Sequence, residues 1–366
     1  MSEISPEARA IPHSSKGGST VPLIERGPEE SCFEKVFPFS SDRELREEYI
    51  NFFGGLRLGK LLEDLDLSAG RVAYDHTQGS DRGLGIVTAA CDRIDLLGEL
   101  PSSSDLQFLA CVNWVGRSSM EVGIRISSGN PSEWRRVARA YFIMVSRHEG
   151  KAEAVNPLKP VSEHEKRRYR EGEERQRQRM ELARRNYHKQ APSEYESNLL
   201  HSLFLKIRQG EIRGVPMSDT RRQSTRLMHP QFRNVHNKIF GGYLMREAFE
   251  LAWNITYLYC RHRPQFLSVD HMYFYHPVEI GSVLSFTGLI IYSTDRALMV
   301  EITTEVINPS SGELLAANVC YFTFNALDER GGAREIQAVL PHTYEEGLKY
   351  LEGSRRFSFG EKHRGT

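Results

Sequence analysis

Net charge is missing from this chain of 366 residues: Lys and Arg total 48, and so do Asp and Glu. No global field therefore draws it to nucleic acid or to an acidic membrane surface, and an anionic ligand has to be held by a local cluster of cations. Long apolar runs are missing too. The longest, such as "YFIMV" from Tyr141 to Val145, fall far short of the roughly 18 to 20 residues of a membrane helix, so no membrane span is expected. The five cysteines, Cys32, Cys91, Cys111, Cys260 and Cys320, show no paired spacing and leave one over if oxidised. They read as reduced thiols in an intracellular protein.

Several reaction signatures are absent as well. There is no G-x-S-x-G elbow, no H-E-x-x-H, no paired C-x-x-C and no G-x-x-x-x-G-K-[ST]. "RGLGIV" from Arg82 carries two of the three glycines of a dinucleotide fingerprint and no convincing helix follows it. His271 and His276 are five residues apart in a strand-like stretch, which turns them to opposite faces. They read as structural, and neither a metal nor a cofactor is expected.

What the chain does contain is 39% hydrophobic and 10% aromatic residues, enough for about two folded cores. The stretch "NKIFGGYLMREAFELAW" from Asn237 places Leu244, Ala248, Leu251, Ala252, Ile255 and Leu258 on one helical face. Asn237, Gly241 and Gly242 stand just before that face, where the first backbone N–H groups of a helix have no intrahelical partner. Such a start is a site for an anion or a carbonyl oxygen, or simply a tight loop relieved by glycine.

A weak internal repeat runs through the chain. "NFFGGLRLGKLLEDLDL" from Asn51 lies on "KIFGGYLMREAFELAWN" from Lys238, which matches Phe53-Gly54-Gly55 to Phe240-Gly241-Gly242 and Glu63 to Glu250. Asp92 then matches Asp270, "WVGRSSMEV" from Trp114 matches "YSTDRALMV" from Tyr292, and Tyr141-Phe142 matches Tyr321-Phe322. Each unit reads as a long helix followed by antiparallel strands. "MVEITTEVI" from Met299 alternates with the period of two of a half-buried strand. The fold class is α+β, with a sheet covering an unusually apolar helix in each half.

The expected organisation is a disordered leader at 1–43, a first domain at 44–160, a charged helical linker at 161–217, a second domain at 218–330 and a C-terminal extension at 331–366. The linker places Glu163 before Arg167, Glu171 before Arg175 and Glu181 before Arg185 at i, i+4, as on a solvated helix. Its many acids and lack of interleaved aromatics argue against a nucleic-acid stripe. The leader carries Glu3, Glu7, Glu25, Glu29 and Glu30, whereas a transit peptide is Arg-rich and poor in acids.

A helix entered through "N-x-x-F-G-G", then "P-V-x-x-G-S" at Pro277 to Ser282, "SMEV" at Ser119 and "YFTF" at Tyr321, resembles the hotdog fold. The tandem arrangement resembles the acyl-CoA thioesterases that carry two hotdog domains in one chain, and most of all their mitochondrial branch. "GKLLEDLD" from Gly59, "VNWVGRSSMEV" from Val112, "NPLKP" from Asn156 and "HTYEEGLKYLEGSRRF" from His342 carry that likeness, which spans about 44–357.

The resemblance implies a double hotdog that hydrolyses fatty acyl-CoA to free fatty acid and coenzyme A at the interface of its two domains. It also implies a homo-oligomer, often a trimer of double units, and mitochondrial residence, with the acidic leader leaving the cytosol as the alternative. An Asn near one helix start and an acid on the partner helix form the working pair in that family. Asn237 matches the first, and Glu63 and Asp64 both stand for the second. With Ile50 in register with Asn237, one competent site is expected, its mirror image being degenerate. The Gly242 N–H, beside Gly241, would stabilise the carbonyl oxygen. Arg117, Arg246 and Arg296 are candidates for the coenzyme A phosphates. A hotdog hydratase is set aside, because no D-x-N-P-x-H loop is present. A non-catalytic acyl-CoA-binding module is the alternative reading.

Overall fold

The computed structural model describes residues 22–78, 82–98, 100–184, 191–234, 237–328 and 330–364. The first 21 residues of the expected leader lie outside these, as does Arg185 of the linker pairs. Each half supplies five strands in one order around a long helix. In the first half these are β1 (Phe33–Phe37), α1 (Arg43–Tyr49), α2 (Leu58–Thr77), β2 (Gly85–Leu96), β3 (Asp105–Val115), β4 (Ser119–Asn130) and β5 (Glu133–His148), with a short β6 (Lys151–Ala152). After α3 (Glu163–Arg184), α4 (Glu194–Gln209) and β7 (Gly214–Pro216), the second half repeats the plan. It comprises β8 (Arg222–Leu227), α5 (Gly241–Cys260), β9 (Arg263–Phe274), β10 (Val283–Ser293), β11 (Leu298–Ile307) and β12 (Leu314–Leu327). β13 (Ala338–Leu340) and α6 (Tyr344–Arg364) follow.

The strands form one eleven-stranded sheet in the order β1-β3-β4-β5-β2-β9-β12-β11-β10-β8, with β6 on β5. The order is symmetric about the β2–β9 junction, where the strands pair antiparallel from Ala90 opposite Tyr273 to Asp95 opposite Ser268. α2 and α5 lie side by side on one face of the sheet. Leu61, Leu62, Leu65, Ala69, Val72 and Ala73 of α2 and Leu244, Ala248, Ala252 and Ile255 of α5 are buried, the three-to-four spacing that drives each helix onto the sheet. The expected α+β double hotdog is what the structure shows.

Four local features differ from the sequence reading. Residues 22–43 are structured, because Phe37 and Phe39 are buried and stacked at 5.6 Å, and β1 pairs with β3 from Phe33 opposite Ala110. Cys32 and Cys111 are joined in a disulfide, since that pairing brings their Cα atoms to 4.4 Å. Cys91, Cys260 and Cys320 are free.

The charged helix α3 does not stand in solvent. It lies on the opposite face of the sheet, where Arg175 pairs with the fully buried Glu121 at 2.6 Å and Arg179 pairs with Asp92 at 2.8 Å. Arg168 donates to Asn113 Oδ1 at 2.6 Å. α6 covers the second half in the same manner, with Arg356 on Asp270 at 3.2 Å and Lys349 on Glu301 at 2.5 Å. Helices on both faces explain why β2 and β9 are buried on both sides.

The fourth difference is the register of the repeat. α5 begins at Gly241, so the glycine pair lies inside its first turn, whereas α2 begins at Leu58, three residues beyond Gly55. Gly59, not Gly55, therefore corresponds to Gly242. The loops before the two helices match bond for bond at a constant offset. Asn51 N donates to Gly55 O at 2.8 Å and Asn234 N to Lys238 O at 2.7 Å. Gly54 N donates to Asn51 O at 2.9 Å and Asn237 N to Asn234 O at 3.1 Å.

Candidate active site

Two halves that pack helix against helix bring the start of each helix against the flank of the other. At one crossing, Gly242 donates its backbone N–H to Asp66 Oδ2 at 2.8 Å, and Thr88 donates its hydroxyl to Asp66 Oδ1 at 2.7 Å. Asp66 comes from α2, Thr88 from β2 and Gly242 from the second half, so the arrangement exists only at the interface. The Asp66 carboxyl is buried. Burial pushes its pKa up to about 6, held back in part by the bonds from Thr88 and Gly242. A carboxylate so poised is matched to accepting a proton near neutral pH.

The glycines are required by close approach. A Cβ on Gly242 would stand 2.8 Å from the Glu63 backbone Cα, and one on Gly241 would stand 3.1 Å from Asp66 Oδ2. The opening glycine pair thus lets the amide end of α5 reach α2.

Glu63 and Asp64 take other partners. Glu63 accepts from Arg246 Nη1 at 3.0 Å across the interface, and burial raises its pKa against the lowering influence of that arginine. Asp64 points into its own half, where Lys35 Nζ and the Tyr49 hydroxyl both donate to it at 2.6 Å. Asn237 is exposed with φ of 56°, the left-handed conformation that Gly54 holds at φ of 76° in the first half. Its place in the repeat is that of a turn residue. The side chain in register with Asn51 is Asn234, whose Oδ1 accepts from Lys238 N at 3.1 Å. Arg117 and Arg296 are exposed in the turns before β4 and β11, Arg296 lying 3.8 Å from Asp295. Neither is hydrogen-bonded or ion-paired to Asp66, Thr88 or Gly242.

Asp66 is the residue that sequence reasoning passed over. Its signal is positional: Leu62, Asp66, Ala69 and Ala73 follow the three-to-four spacing of the buried face, so this acid interrupts an apolar stripe. Thr88 left no signal in the sequence, since only the sheet brings it beneath α2.

The chain is 35% identical over 368 residues to the mitochondrial acyl-coenzyme A thioesterase 9 of Mus musculus, a match that covers 96% of this chain and 82% of that one. It belongs to the acyl-CoA thioesterase family. The mitochondrial acyl-coenzyme A thioesterase 4 of Humulus lupulus is 33% identical, over 90% of this chain and 67% of its own. No family model matches the sequence. Among solved structures, a Lactobacillus plantarum protein assigned as an oleoyl thioesterase superposes with a TM-score of 0.51 and 11% identity, covering 81% of this chain and 97% of that one. That likeness supports the fold.

For a thioesterase of this family the second crossing of the helices is instructive. There Gly59 takes the place of Gly242, and a Cβ on it would stand 3.4 Å from the Phe249 ring. Phe249 and Phe266 pack edge to face at 5.5 Å where the first crossing has its carboxylate and hydroxyl. Among the described residues, no group of acids, histidines or cysteines could hold a metal ion.

Proposed function

We propose that this thioesterase hydrolyses fatty acyl-CoA to fatty acid and coenzyme A at the Asp66 crossing, with Asp66 as general base. The observation that carries the reading is a buried carboxylate of one half held by the helix-start N–H of the other. The thioester carbonyl oxygen would take the Gly242 N–H, a donor fixed by the helix, in exchange for its 2.8 Å bond to Asp66 Oδ2. Asp66, kept in place by Thr88, would accept a proton from the water whose oxygen attacks the carbonyl carbon. Collapse of the tetrahedral adduct breaks the C–S bond, and the proton on Asp66 goes to the departing thiolate.

Asn234 supports the same site by symmetry. Its mate Asn51 lines the equivalent opening in the other half, so the amide that orients substrate or water is assigned to Asn234, with Asn237 setting the turn that presents it. Arg246, tied to Glu63, and the surface residues Arg117 and Arg296 remain the cations proposed for the coenzyme A phosphates. Assembly into a trimer of double hotdogs is part of the same proposal. Mitochondrial residence follows the relatives, named mitochondrial in mouse and in hop.

The test is thiol release from hexadecanoyl-CoA by the parent and by Asp66→Asn, with Glu63→Gln and Asp64→Asn beside them. A fall of about 10² or more confined to Asp66→Asn supports the assignment, and full turnover by Asp66→Asn removes it.

A further inference from the structure

At the crossing related to the Asp66 site by the internal symmetry, the interface opens into a cavity of about 870 Å³. Its walls come from both halves: Leu58 and Leu100 from the first, Phe249, Trp253 and Phe266 from the second. The volume lies within the roughly 300 to 1,000 Å³ typical of small-molecule sites, and the lining sets the apolar wall of Phe249, Trp253 and Phe266 against polar groups such as Asn51, Glu250 and Gln265. What the cavity lacks is the carboxylate and hydroxyl of the first crossing, because Phe249 and Phe266 fill the places of Asp66 and Thr88, and the carboxylate on its wall, Glu250, is paired with Arg57.

The rim carries Arg57, Arg263 and Glu250, so its positive charge is not wholly spent. Arg57 is engaged with Glu250 at 3.0 Å. Arg263 also borders the cavity and its guanidinium lies 5.7 Å from the centre of the Phe53 ring. Among the described residues Arg263 is paired with no carboxylate. Beside it Phe52 stands 93% exposed on the rim. A chamber with one aromatic wall and, at its mouth, a guanidinium paired with no carboxylate among the described residues fits a chain-like molecule that ends in an anion.

We propose that this cavity is a second, non-hydrolytic site for a fatty acyl chain with an anionic head, the chain lying against Phe249, Phe266 and Trp253 and the head meeting Arg263. The choice of an acyl ligand rests on the thioesterase reading of the first site, since the two crossings are related by symmetry. The head is either a free carboxylate, as in the released fatty acid, or the phosphates of a coenzyme A thioester. Both offer the same chemistry to Arg263.

The full-length protein is titrated with S-hexadecyl-coenzyme A, a thioether that offers no bond to hydrolyse, and separately with hexadecanoate. Stoichiometry is read by calorimetry, with Trp253 fluorescence reporting the cavity. Two thioether molecules are expected to bind per chain, falling to one in Leu100→Trp, which fills the chamber. Arg263→Glu is a surface change that leaves the chamber intact. It is expected to weaken the second class by about tenfold while turnover of hexadecanoyl-CoA is retained.

Hexadecanoate that occupies the cavity class, and loses it in Arg263→Glu, identifies a carboxylate ligand; occupancy by the thioether alone identifies the coenzyme A head. One thioether per chain in the parent, unchanged by either variant, overturns the second site even where hydrolysis is normal. A cavity class that responds to both variants in a protein hydrolysing no thioester supports the second site and sinks the reading of the first.

Discussion

Asp66 and Phe249 hold equivalent places in the two halves, each facing the first turn of the other half's helix. A symmetric pair of crossings has thus kept a carboxylate at one and an aromatic ring at the other. The consequence is local chemistry: a buried acid with two donors on one side, an aromatic-walled chamber on the other. Neither is the property of a single domain, since each needs a helix start from one half and a helix flank from its neighbour.

Replacing Asp66 by Asn keeps the shape and removes the charge. Because burial is what raises this carboxyl, its ionised form is held at a cost, and Asn relieves it. Thermal melting of Asp66→Asn is expected at or above the parent midpoint while turnover falls by about 10² or more. A lowered midpoint with turnover intact would contradict both halves of the assignment.

The pH profile follows from the same group. Asp66 accepts a proton only when ionised, and its pKa lies at about 6 rather than 3.8. The value of kcat/KM is expected to rise with unit slope below about pH 6 and level off above it. A flat profile from pH 5 to 7 would exclude Asp66 as the titrating base.

The β2–β9 junction of the sheet carries a different dependence. His271 sits between Asp270 and Asp92, the latter at 3.1 Å. Burial opposes its charge, yet the two carboxylates raise its pKa from 6.5 to about 9. A group with a raised folded-state pKa contributes stability that is fully present below its unfolded value and is lost as pH climbs through the folded one. Denaturant midpoints should therefore decline between about pH 6.5 and 9, and His271→Gln should flatten that decline.

Arg179 reaches Asp92 at 2.8 Å and Glu121 at 3.4 Å, and all three are buried. Without Arg179, Glu121 keeps Arg175 and Asp92 keeps His271, so the loss falls short of the about 3 to 5 kcal/mol of a buried charge left wholly unpaired. Arg179→Ala is expected to lose about 1 to 3 kcal/mol in chemical denaturation and to expose α3 to proteolysis. Exposed Arg296→Ala, by contrast, should stay within about 0.5 kcal/mol of the parent.

Much was legible in the amino-acid sequence, because periodicity is a local property. The apolar spacing of α5, the strand alternation at Met299 and the doubled unit all follow from neighbours in the chain, and so does the choice of α+β. The glycine pair at Gly241 was legible as a close approach, though not what it approaches. The acid was harder. "LLEDLDL" holds three carboxylates within four residues, and a helix turns each through about 100°, so Glu63, Asp64 and Asp66 face Arg246, Lys35 and Gly242 respectively.

Only tertiary structure decided which of those faces meets the other half. α2 begins at Leu58, and that boundary set the register of the repeat, made Phe249 the counterpart of Asp66, and moved Asn237 to the place of Gly54. The arginines of α3 were read as solvated for the same reason: a charged helix shows its composition in the sequence, but the buried acids it covers lie in strands far from it along the chain. Local pattern determines which elements form, and the packing of distant elements determines what their side chains face.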